Sequence, residues 1–280
     1  MNLSALLRRF ALCVGAVTFL GGAPIALADG TLFDVGELQF FFGDASGLTP
    51  MSADNDGTWI YTVSGGNING DRLARYFQDG TLDQTFAPGI DFRSIFTDNS
   101  GNLFAKEWGT GNVYSMSQDG MPTFLYTLND PQDHSSASFN ADDTELYTRD
   151  GSTIRRYNSS TGMFLGSFEL MGLIGDELST PAAWQMETSR SGRIFTYAAG
   201  IVSEWDTKGN RIGTANIAIS GDPSGLDTTF SFAVGGDDDI YLYSEATNQW
   251  KVWNIGIPAP GTLALLAIGG VVGRRRRRRI

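Results

Sequence analysis

Residues Asp54 to Val63 read DNDGTWIYTV, a polar four-residue turn followed by a run of aromatic and β-branched side chains. Asp-Gly pairs suit the positive φ of tight hairpins, while Trp, Ile, Tyr, Thr and Val suit a pleated, half-buried surface. The stretch predicts a hairpin corner and then a strand, with Trp59, Tyr61 and Val63 alternating onto one buried face. Taken alone it describes any β-protein. Its recurrence decides the fold. The same pattern returns as DNSGNLFAKE (Asp98 to Glu107), ADDTELYTRD (Ala141 to Asp150), SRSGRIFTYA (Ser189 to Ala198) and GDDDIYLYSE (Gly236 to Glu245), at a spacing of roughly 45 residues.

Working outward, each copy is followed by a second strand and turn: LARYFQDG, VYSMSQDG, IRRYNSSTG, VSEWDTKG and, lacking the turn, WKVWNIG. A third strand then leads away, as TLDQTFA, PTFLYTL, MFLGSFEL and RIGTANI. Ahead of the first turn lies a strand with small or hydroxylic residues, as in Pro50 to Ala53, Arg93 to Thr97, Ser135 to Phe139 and Phe230 to Val234. Four short strands per unit, joined by Gly- and Asp-rich turns, make a propeller blade, and small residues suit an inner strand crowded at the axis. The fifth unit lacks its last strand, and Leu32 to Phe42 belongs to no other unit. That segment is expected to close the ring, giving an all-β, five-bladed β-propeller over residues 29–256. Six blades is the competing count. The repeat is similar to propellers of the NHL, YVTN or WD-repeat type without carrying the signature of one of them.

The two ends differ from the body. Residues 1–28 read as a signal peptide: Arg8 and Arg9, an apolar stretch from Phe10 to Gly22, then Ala26 and Ala28 as the small residues for cleavage before Asp29. Cys13, the one cysteine, falls inside it, so the exported body has no disulfide to lean on. Residues 257–280, IPAPGTLALLAIGGVVGRRRRRRI, hold a proline motif, 13 uncharged residues and six arginines. As a helix those 13 residues span ~20 Å, short of a ~30 Å hydrocarbon core. The order Pro258-Ala259-Pro260, short apolar helix and Arg274, Arg275 and Arg276 with the three arginines that follow resembles a PEP-CTERM sorting signal. That resemblance implies export in a Gram-negative bacterium, transient anchoring in the inner membrane and processing by an exosortase at the proline motif. It also implies association with the cell surface or extracellular polysaccharide. Ala259 stands where the commonest motif has Glu.

The formal charge of -11 hides a more acidic body. The two ends hold eight of the 20 Lys and Arg and none of the 31 Asp and Glu, which leaves the body near -19. Such a surface repels phosphate backbones, and nucleic-acid binding is excluded as a function class.

Every inter-blade loop carries acid: Asp44; Asp91; Asp130 with Asp133; Asp176 with Glu177; Asp222 with Asp227. Converging carboxylates at a channel mouth would suit Ca²⁺, which takes six to eight oxygens; the plainer reading is turn-capping aspartates. His134, the one histidine, lies in NDPQDHSSASF and is either a ligand-binding or a solvated loop residue. Trp108 offers a sugar-stacking surface or a blade-packing ring. Asp54 to Gly57 lacks the later ligands of an EF-hand and reads as a turn. No nucleophile elbow, phosphate loop or dinucleotide fingerprint occurs. The expected function is therefore a non-enzymatic surface platform needing no cofactor. Its partner would be extracellular polysaccharide or another surface protein. A calcium-dependent hydrolase or lactonase is the alternative.

Overall fold

Hairpin turns recurring at this spacing bring short strands together in sequence, and the computed structural model of the chain shows five four-stranded antiparallel sheets. It describes residues 36–47, 49–65, 72–129, 132–173, 175–179, 182–217, 232–234, 239–244 and 247–255. The leader (1–28), the sorting segment (257–280), Asp130, Asp222 and Asp227 lie outside the described residues. Among the described residues, no helix is long and apolar enough to cross a membrane.

Strand β1 (Glu37–Gly43) precedes blade one, which is β2 (Pro50–Asn55), β3 (Ile60–Ser64), β4 (Arg72–Tyr76) and β5 (Leu82–Phe86). Blade two is β6 (Phe92–Thr97), β7 (Leu103–Glu107), β8 (Asn112–Met116) and β9 (Pro122–Thr127). Blade three is β10 (Ala137–Phe139), β11 (Glu145–Asp150), β12 (Thr153–Asn158) and β13 (Phe164–Glu169). Blade four is β14 (Glu187–Thr188), β15 (Ile194–Ala198), β16 (Ile201–Trp205) and β17 (Arg211–Asn216). Blade five is β18 (Phe232–Val234), β19 (Asp239–Ser244) and β20 (Gln249–Asn254), completed by β1 on the outside. The register runs from Glu37 opposite Asn254 to Gly43 opposite Gln249. Five blades and an N-terminal closing strand are therefore both observed. The strand begins at Glu37, with residues 32–35 outside the described set.

Five apolar clusters, one at each blade junction, close the ring. Phe96, Val113 and Tyr126 of blade two meet Ala137, Leu146 and Tyr157 of blade three. Ala53, Ile60 and Tyr76 of blade one meet Tyr241, Tyr243 and Trp250 of blade five. Trp59, Tyr61 and Val63 share one buried face as expected, the face toward blade two. The opposite face is buried as well. All five residues of β3 are buried, because each blade is sandwiched between two others. Tyr61 and Val63, with Trp59 just ahead of the strand, face blade two, while Ile60 faces blade five.

The inner strands are stapled by serine. Ser94 Oγ accepts the Ala137 N–H at 3.0 Å and donates to the Ala137 carbonyl at 3.2 Å, joining blade two to blade three. Ser52 does the same with Ile95, and Ser136 with Met186. Each serine takes on both polar groups of one residue in the next blade. Ser94→Ala leaves that buried pair unmet, at about 1–3 kcal/mol. A drop of roughly 3–10 °C in melting temperature is expected, measured by thermal denaturation against wild type.

The strand directions define two faces. Inter-blade loops and the turns between second and third strands share one, the loop face. Turns between first and second strands, and between third and fourth, share the other, the turn face. Gly36 and Ile255 sit together at the turn face, where Glu37 pairs with Asn254.

Candidate functional site

On the loop face, three of the sequence-predicted acids, Asp44, Asp91 and Glu177, are held by protein donors. Asp44 accepts from Ser46 N at 2.9 Å, Thr62 Oγ1 at 3.0 Å and Trp250 Nε1 at 2.8 Å, bridging blades five and one. Asp91 pairs with Arg93 at 2.9 Å. Asp133 is exposed, and Asp176 opens a short 3-10 turn, Gly175–Leu178. Glu177 in that turn is buried, accepting from Ser203 Oγ at 2.7 Å and pairing with Arg211. Among the described residues no three His, Cys, Asp or Glu side chains come together as a metal cluster.

Two buried cations that the sequence reading did not single out organise these loops. Lys106 Nζ, on β7, donates to the carbonyls of Gln132 and Asp133 at 3.3 Å and of Ser135 at 3.2 Å. Arg149, on β11, donates to the carbonyls of Gly151, Ala182, Gln185 and Glu177 at 2.8–2.9 Å. Burial pulls its pKa down to about 10, against the charge of Glu177. The loop carbonyls thus turn inward onto protein cations.

His134 sits in an aromatic stack at this face. Its ring lies parallel to Trp184 at 5.0 Å and tilted to Trp108 at 5.9 Å, with the Arg93 guanidinium 5.1 Å over Trp108. Burial, then the charge of Arg93, lowers the imidazole pKa. Trp108 is half-buried between a cation and an imidazole, a packing role rather than an open sugar-stacking surface.

The turn face carries the one strongly perturbed acid pair among the described residues. Asp54 and Glu187 line a single cavity of about 30 Å³, with Thr97, Ser138 and Thr188 among its walls. Asp54 lies on the inner strand of blade one and Glu187 on that of blade four. Asp54 accepts from Asn55 N at 2.7 Å and from the Thr97 hydroxyl, but burial outweighs both and raises its pKa to about 7. Glu187 is held well above the usual carboxylate range by burial and then by the charge of Asp54. Its Oε1 is buried without a hydrogen-bond partner. Asp98, Asp143 and Arg190 also line the cavity. The space admits a water or two and no organic substrate. The sequence reading placed Asp54 in a turn and passed over Glu187. The turn itself is capped as expected, by Asp56 accepting from Thr58 N at 2.7 Å and Trp59 N at 2.6 Å.

The rim holds a third repeated feature. Each outer strand has a β-bulge at the same place, between the partners of Val113/Tyr114 in blade two, Arg156/Tyr157 in blade three and Glu204/Trp205 in blade four. The extra residue is Leu125, Leu165 and Ile212 respectively, 41%, 43% and 39% exposed. In blades five and one the same position is Gln39 and Asp83. Three consecutive blades therefore show an apolar knob where the other two show a polar one.

No protein-family model and no curated protein matches the chain. Among solved structures, a protein of unknown function from Bacteroides thetaiotaomicron is similar at 12% identity and a TM-score of 0.50, over 82% of this chain and 65% of that one. A gluconolactonase from Xanthomonas campestris is similar at 11% identity and a TM-score of 0.43, over 70% and 68%. Likeness at this identity concerns the fold alone.

Proposed function

We propose that the protein is an exported cell-surface or matrix component, sorted through its C-terminal segment, whose propeller is a rigid non-enzymatic platform for another surface protein. The row of apolar bulge residues Leu125, Leu165 and Ile212 carries this reading. Bulges re-aim side chains, and exposed apolar groups repeated over adjacent blades suit a protein contact. Edge strands that present such groups also offer unpaired backbone to a partner. Ile255, the last described residue, lies at the turn face beside the Glu37–Asn254 pair.

The test uses the producing cell. Replacing Leu125, Leu165 and Ile212 together by Asp is expected to leave the melt and the mature mass unchanged, because all three are exposed, while releasing the protein into the medium. Pro258→Ala with Pro260→Ala is expected to yield a longer, membrane-retained form. An unaltered mature mass in the proline variant would refute the sorting step; unaltered surface retention in the rim variant would refute the rim contact.

A further inference from the structure

We propose that Asp54 and Glu187 bind a divalent cation, calcium by preference, at the axis on the turn face, and that this ion ties blade one to blade four. Both side chains are more than nine-tenths buried and line one cavity. Glu187 Oε1 has no hydrogen-bond partner there, and leaving a carboxylate oxygen so placed is costly. The hydroxyls of Thr97, Ser138 and Thr188 in the same wall add neutral oxygen donors. Ser138 and Thr188 are 2.6 Å apart, oxygen to oxygen, which holds that side of the cavity fixed. An all-oxygen set of carboxylates and hydroxyls suits a hard cation, with water completing the six to eight ligands calcium takes.

Charge points the same way. The cavity is lined by four acids, Asp54, Asp98, Asp143 and Glu187, against one base, Arg190, which is exposed. Burial raises the pKa of both inner acids, and the charge of Asp54 adds to that rise at Glu187. A divalent ion would reverse that by favouring both carboxylates. The cavity holds the ion and a water but no substrate, so the ion's role is to brace the ring across its axis. No reaction follows from it.

Calcium titration of the purified protein at pH 8, after chelation, tests this by calorimetry and thermal melt. One ion per chain and a melting temperature raised by at least 5 °C are expected. Glu187→Gln keeps the side-chain shape and removes the carboxylate ligand, so it should show no response to calcium. Asp54→Asn is the second variant, expected to weaken binding at least tenfold. Asp142→Asn, an exposed acid outside the cavity, should keep the full response. A wild type indifferent to calcium, magnesium and manganese would overturn the proposal. So would a Glu187→Gln variant that keeps the calcium shift. A metal-indifferent protein that instead loses stability from about pH 4 to pH 7 would show a proton-sharing pair: acids with raised folded pKa bind extra protons in the native state and lose that advantage as pH rises.

Discussion

Phe42→Asp in the full chain is expected to abolish the cooperative melt, whereas Phe41→Asp, one residue away, is expected to leave it within a few degrees of wild type. Phe42 is 5% exposed and packs against Tyr76 of blade one at 4.7 Å between ring centroids, in the cluster that holds Trp250. Phe41 points the other way and is 58% exposed. The turn of blade one crosses directly over Phe42: a Cβ on Gly80, where φ is +80°, would lie 2.6 Å from Phe42 Cβ. Gly120 meets Phe86 and Gly162 meets Tyr126 in the same way in the next two blades. Phe42 is thus the blade-five counterpart of two outer-strand aromatics, supplied from the opposite end of the chain. Truncating a buried Phe to Ala costs about 3–5 kcal/mol, and a carboxylate in its place adds the cost of desolvation. Whole domains are stable by only about 5–15 kcal/mol, so losing this clasp opens the ring. Circular dichroism melts and binding of a hydrophobic dye at 25 °C read the result. A Phe42→Asp variant that melts sharply near the wild-type temperature would mean that strand closure is dispensable.

That clasp was legible in the sequence because it is a matter of counting. Five turn-plus-strand landmarks demand twenty strands, the fifth unit supplies three, and LFDVGELQFFF is the spare. The QDG, STG and TKG turns were legible for the same reason, since a glycine at fixed spacing marks a backbone crossing. What stayed hidden depends on strand ends and on partners far away in sequence. The inner strand of blade one runs to Asn55, two residues beyond Ala53, where the sequence reading ended it. Those two residues move Asp54 from a solvent turn to the axis and convert a capping aspartate into a buried acid. Glu187 lies on a two-residue strand too short to leave a periodic signal. The knobs at Leu125, Leu165 and Ile212 owe their exposure to bulges, and a bulge shifts the alternation by one so that an apolar residue in a strand reads as core.

Lys106 and Arg149 were hidden differently: a cation inside LFAKE or ELYTRD reads as the polar side of a strand, yet both are fully buried. Arg149→Met is expected to lower the melting temperature by roughly 10 °C or more, second only to loss of the clasp. The guanidinium gathers Glu177, Ala182 and Gln185 at one point, and together with Gly151 their carbonyls take four of its five N–H donors. Methionine matches the stem but takes the donor from all four carbonyls, of which that of Ala182 keeps the Gln185 N–H. Removing one member of a buried charged network typically costs about 3–5 kcal/mol, and each kcal/mol moves the melting temperature of a domain this size by about 2–4 °C. Arg149→Lys separates charge from geometry. Lys106 performs the equivalent task one blade earlier with three carbonyls, over the shorter connection between β9 and β10. An ammonium at position 149 should therefore recover part of the loss and not all of it, because a compact three-donor head cannot span the fork. Equal melting temperatures for Arg149→Lys and wild type would show that charge alone suffices. Equal values for Arg149→Lys and Arg149→Met would show that only the planar fork fits.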